Sequence, residues 1–317
     1  MEKNYGVFPT MITPYKADGN VDYDGVRELV DWYYKKGCEG IFAVCQSSEI
    51  HYLTLEERVN IAKTVLKRRD ELAELDKNRK PMTIVISGHV SDSFADQVEE
   101  LTELAKTKPD ALILITNRFD IENTSEDKWI EDLDRMVNRL DSSVPLGLYE
   151  CPKPYKRLIT KKMLEYCVKS KRFKFIKDTC CDAEEIKRRV DILDGSGFEL
   201  YNANAQTFLE TIRDGANGYC GVMANFHPEL YVWLLHHKDS AKADLIQSFL
   251  CLAAFTEVLA YPCTAKYYLN HYEHLNIKPY SRVRDYQEVT EYQKSCLEQM
   301  KQLGDYLINL INQEEGF

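Results

Sequence analysis

The 317-residue chain has no uninterrupted apolar run of membrane-spanning length. Its first residues, MEKNYGVFPTMITPY, include no apolar stretch long enough for a secretory leader. The expectation is a cytoplasmic protein with no membrane partner. It also lacks a long basic run or a stripe of basic residues interleaved with aromatics, and its formal net charge is −10. Nucleic acid is therefore not an expected partner. The short basic pieces KRRD (67–70) and IKRRV (186–190) read as solvated helix faces. Ten cysteines are present without any CxxC spacing, so free thiols are expected rather than disulfides or zinc ligands. No GxGxxG follows the first apolar run, which removes the fingerprint of a dinucleotide-binding doubly wound sheet.

What is present is a regular alternation. Hydrophobic residues make up 44% and charged residues 29%, enough to build a large core. Short β-branched and apolar runs fall at 6–13, 40–45, 82–88, 111–116, 145–150, 173–179, 198–202 and 218–223. Amphipathic segments separate them. In DYDGVRELVDWYYKKG, Val26, Leu29, Val30 and Tyr33 share a face and Gly37 is a stop signal. Thr54 and Glu57 form a capping box ahead of a second such segment. Near-continuous apolar strands, each followed by a helix, are the pattern of a parallel sheet covered by helices. Eight such units predict an α/β fold, a (β/α)8 TIM barrel over residues 1–238. Residues 239–317 read as a C-terminal extension of three helices, punctuated by Pro262 and Pro279.

The run FKFIKDTCCD (173–182) ends its strand on a lysine, Lys177. A lysine at the edge of an apolar run ordinarily snorkels to water. In a barrel, however, the chemistry sits at the C-terminal ends of the strands. Tyr149 falls at the end of the fifth strand, CQSSE (45–49) follows the second and TNRFD (116–120) the fourth. A lysine aimed into the barrel is partly desolvated, which disfavours its charged form and frees the amine as a nucleophile. On spacing alone the snorkelling lysine remains the favoured reading. Ser47 and Ser48 read equally as turn and cap residues.

The sequence resembles the dihydrodipicolinate synthase/N-acetylneuraminate lyase family along essentially its whole length. The opening TPYKADGNVD and CQSSEIHYLTLEER are similar to the family's T-P-F…D-G-x-V-D and G-(S/T)-T-G-E…E-E-R segments. YECP resembles Y-N-x-P, FKFIKDT the G-I-K-(E/D) lysine segment, GANGYCGVMANFHPEL a glycine-rich G-A-x-G segment, and YPCTAKYYL the N-P…K-x-A-L segment. The resemblance implies a class I lyase or aldolase acting on pyruvate or a longer 2-oxo acid, with an aldehyde as a further possible partner. Lys177 would form the Schiff base and Tyr149 would relay protons. Gln46 and Ser47 align with the hydroxyl pair that holds the substrate carboxylate, and N–H groups at the start of a helix would assist. Ser48, Cys220, Asn202 and Phe119 complete the expected substrate-binding set. No metal or organic cofactor is implied, because the lysine supplies the electrophile. A homo-oligomer is implied, since the family usually assembles as a tetramer of tight dimers.

The departures are specific. Cys45 and Ser48 stand where the family has glycines, and Gln46 where it has a hydroxyl. In the synthases the fourth-strand motif is T-P-Y-Y-N, and its second tyrosine aligns with Phe119, which carries no proton. The arginine expected after Y-N-x-P is replaced by Pro154, with Lys153 and Lys156 nearby. Both losses strike the synthase reaction and point to another acceptor. Dihydrodipicolinate synthase proper and a non-catalytic 2-oxo-acid-binding barrel are the alternatives. Arg118 reads either as a contact for an anionic substrate or as a surface arginine. Cys45, Cys151, Cys180 and Cys220 fall near the mouth and are read as small hydrophobes. Asp178 is read as architectural.

Overall fold

The computed structural model describes residues 4–285 and 289–313. Eight strands run in order around one sheet: β1 (Gly6–Val7), β2 (Gly40–Ala43), β3 (Thr83–Ile86), β4 (Ala111–Ile115), β5 (Leu146–Tyr149), β6 (Phe173–Asp178), β7 (Glu199–Asn202) and β8 (Gly218–Tyr219). Each pairs in parallel with its sequence neighbour, and β8 returns to β1. A bridge between Thr10 and Phe42 joins the chain beyond β1 to β2 and completes the ring. The first and last strands are shorter than their apolar runs. Pro9 has no N–H to donate to a ladder, and after Tyr219 the chain coils into the turn Val222–Asn225.

Side-chain caps open the first two helices. Asp22 accepts from the Gly25 N–H ahead of the helix Tyr23–Lys35, on which Val26, Leu29, Val30 and Tyr33 are fully buried. Gly37 follows it at φ +89°, a left-handed position that glycine occupies without a Cβ clash. The Thr54–Glu57 capping box starts the long helix Leu55–Leu75. Beyond the barrel lie the helices Ala243–Ala253, Cys263–His271 and Glu291–Asn312. Residues 286–288, the expected start of the third, are outside the described residues. Among the described residues no single helix is long and apolar enough to cross a membrane.

Side-chain alternation divides the burial into two layers. Phe8, Phe42, Val85, Ile113, Phe175 and Tyr201 fill the barrel interior, while Leu112, Leu114, Leu148 and Ile176 face the helices. On β6 this alternation points Phe175, and two residues later Lys177, inward. A register shift between Leu146 and Gly147 sets that phase. Gly147 is required there, because a Cβ would lie 2.7 Å from the Phe175 carbonyl oxygen and 2.4 Å from Ile113 Cδ1.

Candidate active site

At the C-terminal ends of the strands a cavity of about 490 Å³ opens above the aromatic interior. Lys177, Tyr149, Gln46, Ser47, Glu257 and Tyr261 are among its walls. Lys177 is 5% exposed and sits in register between Tyr149 on β5 and Tyr201 on β7. Its Nζ lies 4.4 Å from the centre of the Tyr149 ring and 5.6 Å from that of Phe42. The snorkelling reading therefore fails: the period-2 phase of β6 carries the amine into the barrel instead of out to water. Burial, reinforced by the Cys151 and Cys45 thiols, holds the Tyr149 hydroxyl well above the usual phenol range. It remains a neutral acid at any physiological pH. Another cavity, about 700 Å³, is at the opposite end of the barrel, the face that in this architecture serves stability.

The loop after β2 is held in an unusual shape. Val44 and Glu49, which flank it, have φ of 52° and 62°; for a β-branched residue this is a costly conformation. Asp120, Cys181 and Ala260, near the same mouth or leading into its wall, are left-handed as well. Such strain concentrates at functional sites. Within the loop, Ser47 Oγ donates to Thr10 Oγ1 at 3.0 Å. Gln46 Oε1 accepts from the Cys151 thiol at 3.2 Å. The turn Gln46–Ser48 is a single three-residue 3₁₀ turn, too short for the helix-terminus field expected from the sequence.

Four residues expected in the substrate site are not on the cavity wall. Ser48 Oγ donates to the Met11 carbonyl at 2.6 Å and accepts from the Cys45 N–H, so its hydroxyl is spent on holding the loop. Cys220 is fully buried in the interior layer, its thiol pushed up to about 12 by burial. Asn202, also fully buried, donates to Thr207 and Thr211 and so ties β7 to the helix Phe208–Arg213. Phe119 packs edge-on against Trp129 and lines a separate cavity beside Asp92 and Arg118. Arg118 is not a surface arginine; it is 7% exposed and donates to Asp92 and the Val90 carbonyl.

Sequence reasoning missed three groups. Glu150, next to Tyr149, is fully buried and bonded to Arg189, which also bridges to Asp178 at 2.5 Å. Burial and the nearby Asp178 push Glu150 up to about 7. This triad locks the ends of β5 and β6 together, directly behind Tyr149 and Lys177. Glu49, the last residue of CQSSE, forms a buried pair with Lys266 at 2.7 Å and also accepts from Ser281 Oγ and the Arg282 N–H. It fastens the C-terminal segment over the mouth. That segment contributes Glu257 and Tyr261 to the wall and Arg284 to a rim that includes Lys153 and Lys156. The paired acid and base in CQSSE and YPCTAK were a readable signal for the Glu49–Lys266 contact; Glu150 and Arg189 offered none.

The model of the dihydrodipicolinate synthetase family matches residues 3–270. A 4-hydroxy-tetrahydrodipicolinate synthase of Methanococcus maripaludis is 26% identical over 242 residues, covering 75% of this chain and 77% of its own. That of Staphylococcus haemolyticus is 23% identical over 258 residues, covering 80% and 81%. Among solved structures, a catalytic lysine mutant of the Ruminococcus gnavus sialic acid aldolase superposes with a TM-score of 0.79 at 18% identity, over 96% of both chains. A dihydrodipicolinate synthase superposes at 0.78 with 20% identity, over 95% of this chain and 99% of its own. Fold and mouth together define a (β/α)8 barrel of the lyase and aldolase class. The chain belongs to the dihydrodipicolinate synthetase family.

Proposed function

We propose that Lys177 is a Schiff-base nucleophile for a 2-oxo acid, pyruvate or a longer sugar acid that yields it. The observation that carries this reading is the Lys177 amine lying 4.4 Å from the Tyr149 ring inside the strand-end cavity. The amine adds to the keto carbon, and the resulting carbinolamine loses water to a protonated imine. Tyr149, neutral and buried, donates the proton that the departing hydroxyl needs and later relays protons to and from the carbon next to the imine and the substrate. The imine is the electron sink when the bond between the third and fourth carbons breaks or forms. Ser47 holds the substrate carboxylate. A catalytic lysine is named in the sialic acid aldolase neighbour, and a prophage family member from E. coli K12 was solved with pyruvate; both support the assignment.

Dihydrodipicolinate synthesis itself is the second reading, favoured by the names of the relatives. It is weakened by Phe119, which has no hydroxyl and lines another cavity, and by Pro154 in the place of an arginine. The basic rim of Lys153, Lys156 and Arg284 suits a substrate with a second polar or anionic end, whether an aldehyde or a sugar acid. A pure binding role has no use for the Lys177–Tyr149 pair. Ten cysteines without a disulfide among them suit the reducing cytosol. The test is incubation with pyruvate and borohydride, followed by peptide mass spectrometry. The expected result is a reduced pyruvyl adduct on Lys177. A folded protein that traps neither pyruvate nor longer 2-oxo acids would overturn the reading.

A further inference from the structure

The hydroxyl missing at Gln46 has a counterpart across the cavity. Tyr261 stands where the family segment N-P…K-x-A-L has its asparagine. The chain enters it through Ala260 at φ 44°, and its ring lines the same cavity as Lys177, Gln46 and Ser47. The Tyr261 hydroxyl lies beside the side chains of Ser47 and Thr10, which are themselves joined at 3.0 Å. Asn225 Nδ2 approaches the phenol oxygen at 3.3 Å, but its two hydrogens are engaged more closely, at 2.9 Å, by the carbonyls of Thr10 and Val222. The phenol oxygen thus has one weak donor, Asn225, and two other hydroxyls beside it. A hydroxyl hydrogen rotates freely about its C–O bond. Ser47 and Tyr261 can both turn their O–H groups toward an arriving anion, Ser47 exchanging its neutral bond to Thr10 for a stronger charge-assisted one.

We propose that Tyr261 is the second hydroxyl donor to the substrate carboxylate, supplied by the C-terminal segment in place of the one the loop after β2 has lost. The proposal rests on the Lys177 imine reading. It makes Tyr261 a binding residue that selects acids over neutral ketones. Gln46, tied to the Cys151 thiol, is left free of that duty.

The test compares borohydride trapping at Lys177 with pyruvate and with pyruvamide, which keeps the ketone but has no anionic carboxylate. Tyr261→Phe raises the pyruvate concentration for half-maximal trapping by about tenfold or more, the scale of a lost hydrogen bond to a charged group. It leaves the pyruvamide value within about twofold. Equal loss for both ligands would make Tyr261 merely structural, and no loss for either would remove it from the site; each result overturns the proposal. Should Tyr261→Phe fail to fold, Thr10→Val, which removes the hydroxyl that Ser47 donates to and that lies beside Tyr261, is expected to show the same selective loss for pyruvate. Absence of any adduct in the unaltered protein would instead sink the imine reading, and this inference with it.

Discussion

At Tyr149, burial does two jobs: it places the phenol against the Lys177 amine and keeps it protonated. Replacing the hydroxyl alone separates the two. Tyr149→Phe keeps the ring and is expected to lower turnover by about 10²-fold or more, the usual scale for a lost proton donor, while the protein still melts normally. Unchanged turnover with the natural substrate would exclude Tyr149 as the relay. Behind it, Arg189 is 2% exposed and faces two carboxylates, Glu150 and Asp178. Arg189→Met leaves those acids without their cation, and removing one partner of a buried pair costs about 3–5 kcal/mol. Denaturant unfolding measures the loss, and a change below about 1 kcal/mol would contradict this account. The sequence placed the lysine and the tyrosine at the ends of apolar strands. Position alone favoured a snorkelling lysine, and it was the family resemblance that singled the two out. The role of Ser48 was not legible, because a hydroxyl in a turn looks the same whether it faces substrate or its own backbone.

At the scale of elements, the join between barrel and C-terminal helices depends on Glu49 and Lys266. Both side chains are buried, at 1% and 0% exposure. The Lys266 ammonium also donates to the Tyr280 carbonyl at 2.6 Å and lies over the Tyr15 ring. Burial lowers the Lys266 pKa and the Glu49 charge opposes that shift. Lys266→Met strands the Glu49 carboxylate, so a loss of about 3–5 kcal/mol is expected. Limited proteolysis is expected to cut first within 280–284, which Glu49 fastens over the mouth. Unchanged stability and an unchanged cleavage pattern would show that the pair fastens nothing. Strand and helix positions were readable because each barrel unit repeats one pattern of apolar run and cap. Strand lengths were less so, since Pro9 and the turn after Tyr219 end the ladders inside their apolar runs.

For the whole molecule, two properties can be checked. His227 is buried between Tyr231 and Phe249, and burial drives its pKa down to about 3. The folded chain therefore resists a proton that the unfolded chain accepts near 6.5. Its contribution is fully present above 6.5 and is lost as pH falls toward 3. In that window the slope is up to about 1.4 kcal/mol per pH unit for one proton. His227→Phe is expected to flatten the acid limb of stability against pH by about one proton, and an unchanged limb would refute it. Secondly, Leu252, Phe255 and Val258 fall three residues apart and are 67%, 66% and 81% exposed. Apolar side chains grouped in this way suit contact with a second copy. The protein is expected to sediment as an oligomer, and Phe255→Glu to shift it toward a smaller species. A monomer in both cases would reject this interface.

The sequence by itself determined the barrel, because alternation of apolar strands with capped amphipathic helices has few other ways to bury both faces. It also put Lys177 and Tyr149 at the C-terminal ends of their strands, because position along a strand decides which end a side chain occupies; their proposed roles came from the family resemblance. Only the tertiary structure decided which hydroxyls meet. Ser48, Asn202 and Phe119 turned away to satisfy their own backbone, side-chain and packing partners. Tyr261, distant in sequence from CQSSE, arrived at Ser47 because the buried Glu49–Lys266 pair brings the C-terminal segment back across the mouth. Contacts of that range depend on how whole layers pack, and local patterns of residues do not encode them.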